Sequence, residues 1–317
     1  MLKGKRLGFI YPNEYFVKPI ISHFSDSNEV ISLHYKDSSY EKIEEIIKWA
    51  DLVFFDWAAE ALIRASRDIE KGGTKIVCRL HSNELFNGKA DNIEWPFVDR
   101  IIFVNRSTKL MLSSQKQIKD DKCVVINNGV DLTSFKYKPR ERNYKIGFSG
   151  NLNMWKNFPL ALQCIQAASQ HLNSRYTLHI AGELEDARSD LYYNYYKTKS
   201  KLPIVEYGRL SPSDMPNWYN DMDIILSTSL FEGCPVSIFE GMACGCVPII
   251  HRWPGVEYLY DPCITFDSIA VFMQILHNLE SSYKEVQKVI LEEAKYHNIN
   301  KMFKEIDSVL EGVLDDN

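Results

Sequence analysis

Short apolar runs alternate along the chain with stretches in which apolar residues recur at helical spacing. Runs with few polar interruptions are typical of strands buried on both faces of a parallel sheet, and the stretches between them are typical of crossover helices. The repeated strand–helix rhythm predicts two α/β domains, each built on a doubly wound parallel sheet. The runs lie at residues 6–11, 30–35, 52–55, 75–80, 101–104 and 123–126 in the first half, and at 145–148, 178–181, 204–207, 224–227, 247–250 and 264–266 in the second.

A polar stretch between the two series separates the predicted domains. Residues 136–143 are mostly polar and contain Pro139, a composition suited to a linker. The chain of 317 residues is long enough for two domains that each bury their own core. We therefore expect an N-terminal domain at residues 1–140 and a C-terminal domain at residues 141–317.

Charge and cysteine content limit the classes of function and location. The net charge of −5 provides no broad basic surface, so we expect no nucleic-acid partner. The seven cysteines lack regular spacing, which favours a reducing compartment over a disulfide framework. Residues 1–12 are typical of a strand rather than a signal peptide, and no window approaches the roughly 18 apolar residues of a membrane span. We expect a cytoplasmic protein.

Residues 109–122 mix lysines with apolar side chains, which allows peripheral contact with the inner membrane face or an ordinary surface helix.

Residues 231–245 carry the most informative pattern. They follow a buried run, so Glu232 is expected just past the carboxyl end of a strand. Gly233 permits close approach of a ligand to the backbone, and Pro235 suits the first position of a helix that would contain Glu240. The unpaired N–H groups of a helix N-terminus suit a phosphate or sugar hydroxyls, and both glutamates can accept hydroxyl hydrogen bonds. The pattern predicts a nucleotide-sugar site, with two solvated surface glutamates as the alternative.

Two further residues follow predicted strands and carry candidate chemistry. Lys156 precedes an apolar helix, where it could neutralise a diphosphate leaving group; an ordinary surface lysine is the alternative. His81 follows the run at 75–80, at the sheet edge where α/β proteins bind ligands. A structural histidine that hydrogen-bonds the backbone is the alternative there.

Glu232 and Glu240, with the Met242–Gly245 stretch after them, resemble the motif of the fourth family of retaining glycosyltransferases, which have the GT-B fold. The resemblance covers nearly the whole chain. It implies two Rossmann-like domains that face each other across a cleft, with the last helix packing back on the first domain. It also implies that Glu232 contacts the donor sugar and Glu240 holds the ribose. The loop amides expected on the sugar and phosphates belong to Gly233, Cys234, Pro235 and Val236.

The same resemblance assigns donor contacts elsewhere in the chain. His81 would approach the donor sugar, and Lys156 would contact the phosphates. Gly150 matches the family's phosphate loop, but Asn151 occupies the position that usually holds an arginine. Arg209 could supply part of that missing charge. The turn after the first strand, usually rich in glycine, reads Pro12-Asn13-Glu14-Tyr15-Phe16 here.

The resulting expectation is a metal-independent, retaining glycosyltransferase for cell-surface polysaccharide assembly, with a nucleoside diphosphate sugar as donor and a glycan or lipid-linked hydroxyl as acceptor. We expect no cofactor. A GT-B nucleotide-sugar epimerase and a catalytically degenerate GT-B partner protein remain as alternatives. Asp221-Met222-Asp223 resembles the metal-binding DxD of another glycosyltransferase fold, but it precedes a predicted buried strand, where a solvated turn explains it.

Overall fold

A computed structural model describes residues 2–35, 40–116, 118–172 and 175–316. Residue 117, which falls in the predicted surface helix at 109–122, lies outside the described residues. The chain divides into two compact units, one formed by Met1–Asn128 with Asn300–Asn317 and the other by Gly129–Ile299.

The first unit is built on a parallel sheet of six strands. Its strand order is β2-β1-β3-β4-β5-β6, so the chain winds outward from β1 in both directions. Helices connect the strands and cover both faces of the sheet, which explains why its central strands are apolar throughout. The strands are β1 (Arg6–Tyr11), β2 (Glu29–His34), β3 (Leu52–Asp56), β4 (Lys75–Leu80), β5 (Arg100–Phe103) and β6 (Cys123–Val125). The helices are α1 (Glu14–Ser25), α2 (Tyr40–Trp49), α3 (Glu60–Asp68), α4 (Asn83–Phe86) and α5 (Arg106–Lys116), together with α11 (Ile299–Asp315) at the end of the chain.

The second unit repeats this design. Its parallel sheet has the order β12-β11-β10-β7-β8-β9, in which β7 and β10 are neighbours although two strands lie between them in the sequence. The strands are β7 (Lys145–Ser149), β8 (Thr177–Ala181), β9 (Ile204–Gly208), β10 (Ile224–Ser227), β11 (Val247–His251) and β12 (Thr265–Phe266). The helices are α6 (Phe158–His171), α7 (Ala187–Ser200), α8 (Met215–Asn220), α9 (Val236–Ala243) and α10 (Ile269–Ala294).

Each apolar run of the sequence corresponds to a strand, so the predicted α/β class with two doubly wound sheets is confirmed. Each unit has its own buried apolar cluster, as expected of domains with separate cores. The last helix contributes to the first unit, where Asp307 accepts a hydrogen bond from the backbone N–H of Leu2 at 3.4 Å and lies 3.0 Å from His23. None of the described helices is both long and apolar enough to span a membrane.

Candidate functional site

The carboxyl end of β10 leads directly into the segment that carries both glutamates. The strand ends at Ser227, and α9 begins at Val236. Pro235 was predicted to be the first residue of this helix, but it is the N-cap, one residue earlier, because its φ of −74° is paired with an extended ψ of 102°. The helix ends at Ala243, and Gly245 follows it with a φ of +82°, a conformation that favours glycine.

Glu232 and Lys156 form an ion pair at this edge of the sheet. Lys156 Nζ lies 2.5 Å from Glu232 Oε1, and the hydroxyl of Ser229 donates a hydrogen bond to the same oxygen at 2.7 Å. The two charged side chains are 30% and 15% exposed, so water screens the pair less than it screens a surface pair. The sequence predicted separate contacts, with Glu232 on the sugar and Lys156 on the phosphates. The structure places the two groups in direct contact.

Backbone contacts fix the loop that carries Lys156. The hydroxyl of Thr228 donates to the carbonyl oxygens of Lys156 and Asn157, at 2.8 and 3.0 Å. The N–H of Leu230 donates to the carbonyl of Trp155 at 2.9 Å. Since Thr228 and Leu230 both lie just past β10, the loop after β7 is bound to the loop after β10. This explains why residues far apart in the sequence form one pair.

Gly150 and Asn151 belong to the same loop. Gly150 has a φ of +124°, a conformation that favours glycine, and it lies next to the Lys156 side chain, since an added side-chain carbon would be 3.4 Å from Cε. The Asn151 amide donates a hydrogen bond to Glu185, a residue of the loop after β8. Asn153 donates to the same carboxylate at 2.8 Å. Asn151 therefore links two loops.

Arg209 is not part of this pair. Its Nε lies 3.4 Å from Glu183 Oε2, and its side chain is 66% exposed. A contact between such exposed groups contributes little to stability. Among the described residues, the positive charge that directly contacts Glu232 comes from Lys156.

Glu240 is buried in α9 and is held by a residue that the sequence analysis missed. The hydroxyl of Tyr219 lies 3.1 Å from Glu240 Oε2 and 3.2 Å from Ser149 Oγ. Tyr219 is fully buried at the end of α8. A tyrosine hydroxyl has one proton, so it can donate to the carboxylate while it accepts from the serine. No motif in the sequence marks Tyr219, because its contacts with Ser149 and Glu240 join residues that are far apart in the chain.

A small polar cavity lies beside the ion pair. It has room for about one water molecule. Its polar lining consists of the Lys156–Glu232 pair and the hydroxyl side chains of Ser149, Ser227, Thr228, Ser229 and Ser237.

His81 is at the carboxyl edge of the other sheet, just past β4, as the sequence predicted. Its side chain is 7% exposed, and Nε2 lies 3.3 Å from Asp56 Oδ1. His81 belongs to the first unit, whereas the Lys156–Glu232 pair belongs to the second. Its contact with a donor sugar stays a prediction.

The acidic pair at 221 and 223 lies at the amino end of β10, the opposite end from Glu232. Asp221 contacts Lys145 at 2.6 Å. Asp223 is buried and accepts hydrogen bonds from the N–H groups of Asn143 and Tyr144, and this burial raises its pKa. The expectation of a solvated turn was wrong for Asp223, which secures the start of β7. Within the described ranges, no group of three or more His, Cys, Asp or Glu side chains is arranged to hold a metal ion.

Sequence profiles of two families match the chain. The profile described as Glycosyl transferases group 1 matches residues 130–302, more than half of the chain, and that of Glycosyltransferase Family 4 matches residues 13–134. The chain therefore belongs to the family of glycosyl transferases group 1. The resemblance stated on Glu232 and Glu240 is therefore confirmed at the level of the family, and the protein is a glycosyltransferase.

Solved structures support the fold of this glycosyltransferase. A glycosyltransferase from Rickettsia africae is 17% identical, with a TM-score of 0.73 and complete coverage of both chains. Anabaena Alr3699/HepE in complex with UDP-glucose is 14% identical, with a TM-score of 0.76 over 97% of this chain and 100% of its own. The lipopolysaccharide outer core galactosyltransferase WaaB is 15% identical, with a TM-score of 0.70 over 97% of this chain and 99% of its own. A comparison with curated protein sequences gave no match. The predicted GT-B fold is confirmed.

Proposed function

We propose that this glycosyltransferase is retaining and metal-independent. It moves a sugar from a nucleoside diphosphate donor to a hydroxyl of a glycan or lipid-linked acceptor, for the assembly of a cell-surface polysaccharide, and it needs no cofactor. The observation that carries the proposal is the Lys156–Glu232 ion pair, which lies between the β7 loop and the N-terminal side of α9.

The donor nucleotide is proposed to bind along α9. Glu240 accepts hydrogen bonds from the ribose hydroxyls, and the hydroxyl of Tyr219 holds its carboxylate. The diphosphate lies near Lys156 and Gly150, with the unpaired N–H groups at the start of α9 as further donors. The segment that leads into the first turn of this helix consists of Gly233, Cys234, Pro235 and Val236.

Lys156 is proposed to stabilise the leaving group. Negative charge grows on the diphosphate as the glycosidic bond breaks, and a cation fixed beforehand lowers the energy of that state more than the ground state. Glu232 positions the donor sugar and is not a covalent nucleophile in this proposal. Its carboxylate already accepts bonds from Lys156 and Ser229, which orient it before the sugar arrives.

Two structural neighbours support a donor and an acceptor class. Anabaena Alr3699/HepE has been solved with UDP-glucose, which makes UDP-sugars the first donors to test. WaaB is named a galactosyltransferase of the lipopolysaccharide outer core, which supports a glycan or lipid-linked acceptor. Both proteins are under 20% identical to this chain, so they suggest which donors and acceptors to test first.

A partner protein that binds sugar nucleotides without transfer is the second candidate. Asn151 favours it, because the position next to Gly150 carries no positive charge and is hydrogen-bonded to Glu185. Lys156 would then act alone on the phosphates. Donor binding without transfer to any acceptor would support this candidate.

A cytoplasmic location is also proposed. The seven cysteines are all free thiols, and six of them are buried, which suits a reducing compartment. Of the lysines that allowed a membrane contact, Lys109 pairs with Asp120 at 2.6 Å and Lys116 with Asp91 at 3.1 Å. These acidic partners favour an ordinary surface helix for α5.

Thermal shift with UDP-, GDP-, ADP-, CMP- and TDP-sugars tests the donor site, because a ligand that binds the native state raises the unfolding midpoint. The Glu240→Ala variant should lose the response. Glu285→Ala is a matched control on the exposed face of α10 and should keep it. A response that survives in Glu240→Ala would contradict the ribose assignment.

Transfer assays with the responding donor then test the reaction. NMR of the first product should show the anomeric configuration of the donor, and excess chelator should leave the rate unchanged. An inverted product would contradict the retaining mechanism, and inhibition by chelator would contradict metal independence.

A further inference from the structure

A buried cluster of charged side chains lies at the carboxyl ends of β3 and β4. Asp56 and Arg79 are directly opposite each other in the parallel pairing of these strands. Asp56 is fully buried and Arg79 is 2% exposed, and Arg79 Nε lies 2.9 Å from Asp56 Oδ1. His81 is two residues beyond Arg79, so its side chain is on the same face of β4. Its Nε2 lies 3.3 Å from the same oxygen of Asp56.

This arrangement determines which ring nitrogen of His81 carries the proton. The guanidinium of Arg79 is always charged, and a buried charge without a counter-ion is costly, so Asp56 is retained as a carboxylate. A carboxylate can only accept hydrogen bonds, and the proton between it and His81 must therefore be on Nε2. In the neutral imidazole, Nδ1 is then an acceptor. None of the hydrogen bonds recorded for the described residues uses His81 Nδ1.

The surrounding residues also fix the plane of the ring. The indole of Trp57 stacks on His81 with a centroid distance of 4.3 Å and an interplanar angle of 20°. Trp57 has a φ of +80°, and such a conformation costs a bulky residue about 1–3 kcal/mol. The buried carboxylate of Glu84 accepts from the N–H groups of both Ala58 and His81, at 3.1 and 3.0 Å. Backbone strain of this kind is typical of functional sites.

We propose that Asp56 is a positioning residue that, paired with Arg79, holds His81 in the Nε2–H tautomer and leaves Nδ1 as the acceptor for a saccharide hydroxyl. Trp57 fixes the ring so that Nδ1 keeps one direction. The tautomer follows from the first unit alone. The identity of the hydroxyl rests on the proposed function, because both the donor sugar and the acceptor glycan carry hydroxyl groups.

Long-range ¹H–¹⁵N NMR of the full chain, labelled with ¹⁵N-histidine, tests the tautomer without any substrate. The spectrum is recorded at about pH 8, where most imidazoles are neutral. His81→Gln identifies the signals among those of the eight histidines. His81 should show a protonated Nε2 and an unprotonated Nδ1. A protonated Nδ1 of His81 in the wild-type protein would overturn the proposal.

Asp56→Asn tests the cause of this preference. An amide can donate or accept, so the variant should show a mixture of tautomers. Asp91→Asn removes a more exposed carboxylate that contacts Lys116 in the same unit, and it should leave the signals of His81 unchanged. A folded Asp56→Asn protein with the wild-type tautomer would overturn the role of Asp56.

Two probes then separate the sources of the hydroxyl. UDP-glucose, or the donor that the thermal-shift panel selects, tests the donor sugar, and methyl α-glucoside tests a free saccharide. A hydroxyl that donates to Nδ1 should move its resonance to lower frequency. A donor that raises the unfolding midpoint but moves no His81 resonance, with no effect of the glycoside, would refute the hydroxyl contact. Failure of every donor to bind would refute the proposed function and leave the tautomer measurement intact.

Discussion

Replacing Gly182 by alanine should separate two loops that the site requires in contact. A side-chain carbon on Gly182 would lie 2.0 Å from the carbonyl oxygen of Gly150 and 2.8 Å from its carbonyl carbon. Real carbon contacts stay at or above 3.0 Å, so one loop must move by about 1 Å. The obstacle is backbone, which cannot rotate away as a flexible side chain can. Both loops are also hydrogen-bonded, Gly150 to the carbonyl of Ala181 at 3.0 Å and Gly182 to that of Gly208 at 2.9 Å.

The cost can be worked from these contacts. Overpacking of a closely packed site costs about 1–3 kcal/mol, and each backbone hydrogen bond lost adds about 1 kcal/mol. We expect Gly182→Ala to lower the free energy of unfolding by about 2–4 kcal/mol. In a domain of this size that corresponds to a fall of roughly 4–16 °C in Tm. A displacement of about 1 Å in the loop of Gly150 and Lys156 should also weaken catalysis by up to about 100-fold.

Urea unfolding and initial transfer rates measure the two effects. Gly312→Ala is the matched control, because Gly312 is exposed on α11 and no atom lies within 4 Å of the added carbon. The control should gain up to about 1 kcal/mol, since alanine is the better helix former. If Gly182→Ala unfolded at the wild-type midpoint and kept the wild-type rate, the close approach of the two loops would be wrong.

Three other substitutions test separate parts of the site and fold. Lys156→Met removes the cation beside Glu232 and should reduce kcat/KM by about 100-fold or more; an unchanged rate would contradict its role on the leaving group. Tyr219→Phe removes the hydroxyl that contacts Glu240 and should raise the Kd of the donor about 5- to 10-fold in calorimetry, equivalent to about 1 kcal/mol, while equal affinity would argue against positioning. Burial, together with the positive charge of nearby Lys145, lowers the pKa of His179 to about 4. As the pH falls from 6.5 towards 4, the unfolded chain therefore binds a proton at this histidine that the native chain does not bind. Wild-type stability should therefore fall more steeply over this window than that of His179→Gln, and parallel urea-unfolding curves would exclude this effect.

The fold was predictable mainly because the central strands of each sheet are buried on both faces. All five residues of β3 are buried, as are all four of β10, so both strands appear in the sequence as short, mostly apolar runs. The places of Glu232, after β10, and of Glu240, within α9, were also predictable, since both belong to one strand–loop–helix unit that is local in sequence. The predicted start of α9 was wrong by one residue, because the backbone of Pro235 is still extended at the helix boundary.

The pairs that complete the site were not predictable, because they depend on which strands are neighbours. Lys156 meets Glu232 only because β7 lies next to β10. Asp56 meets Arg79 through the register of two parallel strands. That second pair did leave a signal, since each strand carries one charged residue at or next to its carboxyl end. When two successive buried strands each carry one charged residue, of opposite sign, the two residues are expected to pair, because a buried charge without a counter-ion is costly.

In the proposed mechanism, the Lys156–Glu232 pair connects donor binding to the chemistry. Without a ligand, each group is the other's counter-ion, and neither is left uncompensated in a half-buried site. A diphosphate that draws Lys156 towards itself takes part of the positive charge away from Glu232, which then needs new hydrogen-bond donors. On the proposed function, the hydroxyl groups of the bound donor sugar supply these hydrogen bonds. In the same mechanism, Lys156 is attracted more strongly to the phosphates as the glycosidic bond breaks and their negative charge grows.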